Sequence, residues 1–151
     1  ADDPLGFTFI GDKQRLARDL LEVRFMIEPQ MASMAAEHAT EDQIMCIREL
    51  CDESQRLAEA GEDYSAADTA FHNAIAESCG NLVVPRLMGV LKASVPLFID
   101  VTGKQLVEET IRTHRGVADA IAARNPTAAH DAMYLHLVYN RNMIAESKQG
   151  Q

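Results

Sequence analysis

The sequence predicts an all-α domain: an antiparallel bundle of about six helices enclosing a metal and ligand cavity. Three observations predict it. Ala, Leu, Met, Glu and Arg, all good helix formers, are frequent, whereas aromatic residues make up 5% of the 151 positions and Trp is absent. Apolar residues recur at spacings of three and four over successive stretches. Short connectors carrying Gly, Pro, Thr or Asn separate those stretches and supply helix stops and starts.

Residues 1–13 carry Pro4, Gly6 and Gly11 without a helical period and read as a linker or tail. The domain proper is expected over 14–147, with a polar tail at 148–151. Helix one is expected from about Gln14 to Ala39, with a stripe of Leu20, Ile27, Met31 and Met34. Thr40 is placed to cap helix two, Glu41 and Asp42 suit its positive end, and Gly61 stops it. Helix three is expected from about Tyr64 to Cys79, ended by Gly80, with Asn81 placed to cap helix four. Helix four, roughly Leu82 to Val101, is apolar nearly all round, and Pro96 should kink it. Helix five spans about Gln105 to Arg124. Asn125 and Pro126 then restart the chain into helix six, about Thr127 to Ser147.

Charge narrows the function. The formal net charge is −9 and the sequence pI about 4.9. A face that grips nucleic acid needs basic residues to neutralise phosphates, and 14 basic against 23 acidic residues provide none in a run. Direct contact of this segment with nucleic acid is therefore excluded, and an anionic membrane surface is disfavoured. The stretch from Leu82 to Val101 is interrupted by Pro85, Arg86, Lys92, Pro96 and Asp100, too polar for a membrane span. Cys46, Cys51 and Cys79 are odd in number and lack C-x-x-C spacing. They fit reduced thiols in a cytoplasmic protein better than a disulfide framework.

The core stripes carry the unusual residues. Asp68 and His72 lie four apart on helix three, on one face with Ile75 and Cys79. His114 sits mid-stripe on helix five between Ile111 and Ala118. His136 does so on helix six between Met133 and Asn140. Any one of these histidines is most simply a core residue satisfied by a local hydrogen bond. Four together need mutual partners, because an unpaired buried polar group costs roughly 1–3 kcal/mol. One divalent ion would satisfy all four. Imidazole nitrogen with a carboxylate oxygen suits zinc first, with nickel, manganese or iron also fitting, and argues against calcium. His38 and His130 read as structural or solvated. Arg24 falls on the stripe of helix one with Glu28 a turn later. It is either half of a surface ion pair or a guanidinium entering the cavity to clamp a carboxylate.

In order along the chain, these residues resemble a known family. Leu21-Glu22-Val23-Arg24 followed by Ile27-Glu28-Pro29 looks like the opening helix of the FCD domain, the effector-binding domain of FadR-type regulators in the GntR family. Asp68-x-x-Phe71-His72 matches its D-x-x-F-H motif, and Ser78-Cys79-Gly80-Asn81 is similar to its small-residue turn. Thr113-His114 with Ala120-Ile121, and Met133-x-x-His136-Leu137, resemble the remaining two motifs. The resemblance covers about Arg15 to Ile144. It departs at Arg124-Asn125-Pro126, where many relatives carry a Gly-Asp turn. It implies Asp68, His72, His114 and His136 as metal ligands, a small carboxylate effector beside the metal, and Arg24 and Asn81 as ligand-binding residues. It also implies a homodimer and a preceding winged helix-turn-helix domain that contacts operator DNA. That domain is absent from this chain, which would begin near the linker.

Two other readings compete. An open metal site can activate water, and His130-Asp131 superficially matches helical phosphohydrolases. Yet no Asp follows Asp131, no paired E-x-x-H motif is present, and no general base stands beside the ligands. The expectation is therefore that the chain is not an enzyme. The third reading is a closed structural metal site in a dimerisation module.

Overall fold

The computed structural model describes residue 3, residues 5–91 and residues 107–149. Among the described residues are six α-helices, one 3-10 turn (Phe7–Phe9) and no strand. The helices are α1 (Lys13–His38), α2 (Glu41–Glu59), α3 (Ser65–Glu77), α4 (Val84–Leu91), α5 (Val107–Ala122) and α6 (Pro126–Gln149). Where both ends are described, they match the expected elements within about two residues. The second half of helix four, with the kink expected at Pro96, lies outside the described residues, as does the expected start of helix five. No helix among the described residues is long and apolar enough to cross a membrane.

Local chemistry sets these boundaries. Asp12 accepts from Arg15 N at 3.0 Å to open α1. At α2, Thr40 Oγ1 accepts from Gln43 N at 3.1 Å while Thr40 N donates to Gln43 Oε1 at 2.9 Å. This is a reciprocal capping box. Asn125 Oδ1 accepts from Ala128 N at 3.0 Å ahead of Pro126, the first residue of α6. Gly80 holds φ +81°, and a Cβ there would come within 3.1 Å of the His38 ring. The positive φ favours glycine, and any Cβ would also push the His38 side chain aside by a few tenths of an ångström. Pro29 sits inside α1 and removes one backbone donor, and the helix runs through it.

The core lies where α1, α5 and α6 meet, with α2 bridging α3 and α5. Met31, Ala32 and Ala35 of α1 pack with Phe71 and Ile75 of α3, Val117 and Ile121 of α5, and Ala129 and Met133 of α6. Each large apolar side chain buried this way contributes about 1.5–3 kcal/mol. The alanines of α1 let the neighbouring helices approach closely. The buried stripe of α1 differs from the expected one. Ile27 and Met34 are only half-buried, whereas Arg24 and Glu28 are 4% and 0% exposed. The stripe runs through Leu20, Arg24, Glu28 and Met31, so two charged residues occupy its centre.

The α5–α6 turn shows how the Arg124 departure is accommodated. Arg124 adopts φ +58°, and Asn125 N donates to Ala120 O at 3.1 Å, closing the end of α5. The Arg124 guanidinium donates to Ala39 O and reaches Glu41 Oε1 at 3.2 Å, tying this turn to the α1–α2 corner. A non-glycine residue in this conformation costs about 1–2 kcal/mol. Arg124→Ala keeps that cost and loses the anchor, so urea unfolding should show a loss of about 1 kcal/mol. Arg124→Gly should be about 1 kcal/mol more stable than Arg124→Ala. Equal stability of the two variants would contradict this account.

Candidate metal centre

Three helices deliver the predicted residues to one place. Asp68, His72, His114 and His136 are all buried, none more than 8% exposed. One ring nitrogen from each of His72, His114 and His136 lies within 4.8 Å of the others. Asp68 Oδ1 stands 2.8 Å from His114 Nε2 and 3.5 Å from His72 Nε2. The rings sit face to edge or tilted, with His114 and His136 centroids 4.6 Å apart. Phe71, fully buried, packs its ring 4.8 Å from that of His114 and forms an apolar wall.

The chemistry of this cluster fits a cation. Asp68 Oδ1, His72 Nε2 and His114 Nε2 are buried without a hydrogen-bond partner. Asp68 Oδ1 and His114 Nε2 approach to 2.8 Å, an ion-pair distance, without a hydrogen bond between them. Three orphaned acceptor-capable atoms converging on one point would be costly as a purely protein arrangement. Carboxylate and imidazole are also the donor types that hold zinc and its neighbours.

Two further residues support the rings. Glu28 Oε1 lies 2.5 Å from His72 Nδ1, and its other oxygen accepts from Arg24 Nε. Arg24 is thus in a buried pair with Glu28, and the surface-pair reading does not hold. One Nε bond uses only one of the five guanidinium donors. Thr113 Oγ1 lies 2.7 Å from Glu109 O and 2.8 Å from His136 Nδ1. Sequence reasoning missed Glu28 and Thr113 as partners of the rings. The available signals were an acid one turn beyond Arg24 on an apolar stripe, and a hydroxyl next to His114 on the buried side of its helix.

The remaining candidates stand elsewhere. Asn81 is exposed, and its Oδ1 accepts from Val83 N at 2.8 Å and Val84 N at 3.1 Å, which turns the chain into α4. It lines a surface groove with Glu77, Gly80, Leu82, Pro85 and Arg86. His38 is exposed beside Glu37, and His130 Nδ1 lies 3.0 Å from Asp131. Both are apart from the cluster, as expected.

Burial and charge compete at each ionisable group. Burial alone would raise Glu28, but the charges of Arg24 and His72 outweigh it and lower its pKa to about 2. Burial alone would lower His72, but Glu28 and Asp68 raise it to about 9. Burial likewise opposes the ionisation of Asp68, and His114 and His72 hold it well below the usual carboxylate range. Burial, reinforced by the charges of His114 and His72, pushes His136 well below an ordinary histidine.

These helices and this cluster define an effector-domain fold with a candidate metal centre at its core. The FCD domain model matches residues 19–139, and the chain belongs to that family. The regulator LutR of Bacillus subtilis is 32% identical, over 94% of this chain and 68% of its own length. The putative L-lactate dehydrogenase operon regulatory protein of Escherichia coli K12 is 34% identical, over 87% of this chain and 53% of its own. YcbG of B. subtilis is 28% identical, over 95% and 62%. This chain thus spans about half to two thirds of the length of these relatives. A solved structure, Streptococcus agalactiae GntR, superposes with a TM-score of 0.84 at 33% identity, covering 94% of this chain and 66% of that one. These relatives carry the names of transcriptional regulators, and the hydrolase reading is set aside: the domain is not an enzyme.

A pH dependence follows for the metal-free domain. The Glu28 value of about 2 lies below its ordinary 4.5, so its contribution to stability is complete above about 4.5 and lost as pH falls toward 2. The His72 value of about 9 lies above its ordinary 6.5, so its contribution is complete below about 6.5 and lost as pH rises through 9. Urea unfolding should therefore show a plateau in this pair's contribution between about pH 4.5 and 6.5. Glu28→Gln should flatten both flanks, and an unaltered pH profile in that variant would contradict the pairing.

Proposed function

We propose that this chain is the effector-sensing domain of a transcriptional regulator, and that it binds a small carboxylate beside one divalent ion. Asp68, His72, His114 and His136 would hold the ion, zinc first, with nickel, manganese or iron as alternatives. The observation that carries this reading is the convergence of three buried, partnerless donor atoms from α3 and α5. When bound, the ion supplies a Lewis-acidic position for an oxygen ligand.

Charge supports the carboxylate. In the metal-free cluster Arg24 and a protonated His72 balance the Glu28 and Asp68 carboxylates. A dication that displaces the His72 proton would leave the cluster net positive and favour an anionic ligand, and Arg24 retains donors to pair with it. The L-lactate operon regulator among the relatives points to a hydroxy acid as the first effector class to test. Asn81, exposed and engaged in the turn into α4, is not part of this proposed site. The rest of the proposed regulator is a homodimer in the cytoplasm, contacting operator DNA through a winged helix-turn-helix domain outside this chain. Effector binding would then shift the balance between two domain arrangements.

Calorimetry with zinc and then L-lactate tests the reading. The zinc-loaded domain should bind the acid, and the chelator-treated domain should not. Arg24→Lys keeps the charge but loses the planar fork, and should weaken acid binding about tenfold while zinc is still taken up. Equal acid binding with and without metal would refute the reading.

A further inference from the structure

An imidazole bound to a metal has to present the correct nitrogen, and the proton on the other nitrogen decides which one that is. The proton positions here follow from the partners rather than from direct observation. Thr113 Oγ1 is 2.7 Å from Glu109 O, a backbone acceptor one turn earlier in its own helix. Its hydroxyl proton goes there, so toward His136 the oxygen accepts, and His136 Nδ1 donates to it at 2.8 Å. Glu28 is an acceptor with one oxygen taken by Arg24, and its other oxygen receives the Nδ1 proton of His72 at 2.5 Å. Both acceptors are buried, Thr113 at 4% and Glu28 at 0% exposure. In each ring this leaves Nε2 as the nitrogen a metal would take. At His72 that nitrogen makes no hydrogen bond and has Asp68 Oδ1 3.5 Å away. A metal-free polar core would satisfy both faces of such a ring. A ring fixed on one side and orphaned on the other is the arrangement of a ligand held ready.

We propose that Thr113 and Glu28 are positioning residues, fixing His136 and His72 with Nε2 aimed at the metal. Glu28 also joins His72 to Arg24, so a metal ligand and the candidate carboxylate clamp share one buried acid. The inference rests on the metal reading above.

The test measures zinc affinity of the whole domain by competition with a chromophoric chelator, on variants first shown to melt cooperatively. Thr113→Val keeps the side-chain shape and removes the acceptor, and should weaken zinc 10–100-fold, the range typical of such supporting partners. Thr113→Ser should restore nearly wild-type affinity. Glu28→Ala should lose a similar factor, and Glu28→Gln less, because its amide oxygen still accepts from His72. Imidazole ¹⁵N spectra of the metal-free domain give a second readout. His136 should hold its proton on Nδ1 in the wild type and the Ser variant, and lose that preference in the Val variant. Wild-type zinc affinity in folded Thr113→Val and Glu28→Ala would overturn the positioning roles while leaving the metal reading intact. Equal affinities of the Ser and Val variants would overturn the role of Thr113. A wild-type domain that binds no zinc would overturn both the metal reading and this inference.

Discussion

Everything distinctive in this domain depends on one constraint: polar atoms buried in an apolar core must find partners. Asp68, His72 and His114 bring three buried atoms to one point, close together but without a hydrogen bond for any of them. A well-packed bundle of this size has a narrow net stability, so several kilocalories of unmet polar demand is a large fraction of the total. Such an arrangement persists when something outside the chain completes it. A divalent ion is the partner we propose for these atoms, before any question of what it would do for a regulator.

The fold separates the task of holding the site from the task of stabilising the core. Each ring comes from a helix anchored by its own apolar contacts: Ile75 on α3, Val117 and Ile121 on α5, Met133 and Leu137 on α6. Behind the rings stands a layer of acceptors, Glu28 and Thr113, and behind Glu28 stands Arg24. This layering fixes the donor geometry in advance, so that binding need not order flexible side chains at an entropic cost. It also places Arg24 one side chain, Glu28, away from His72. In the proposed function, a shift of Arg24 toward an incoming carboxylate would be felt at His72 through that shared acid.

Much of this was legible in the sequence. Helix periodicity and the Thr40, Gly61, Gly80 and Asn125 signals placed the described elements closely, because caps and turns are local chemistry. The four polar residues on core stripes were visible for the same reason: a charged or imidazole residue breaks an apolar period wherever it falls. The stripe of α1 was less clear. Arg24 fell on the stripe with Ile27 and Met34, but a surface pair with Glu28 stayed open beside the cavity reading, because hydropathy ranks a charged pair as solvent-facing. His72, 44 residues away from Glu28 in the chain, is the long-range partner of that buried pair. Thr113 was hidden similarly, since a threonine beside a histidine has no periodic signature and its partner lies on another helix. Long-range pairings of this kind follow from helix packing, which periodicity does not encode. The tolerance of Arg124 in a glycine-like turn is another such case, resting on its reach to Ala39 O.

X-ray absorption spectroscopy at the zinc edge of the reconstituted domain tests the central claim most directly. The account predicts one zinc per chain, with a first shell of nitrogen and oxygen only at about 2.0–2.2 Å. It also predicts outer-shell scattering from three imidazole rings, falling to two in His136→Ala. A first shell containing sulfur from a cysteine, or a spectrum without three imidazoles, would contradict it.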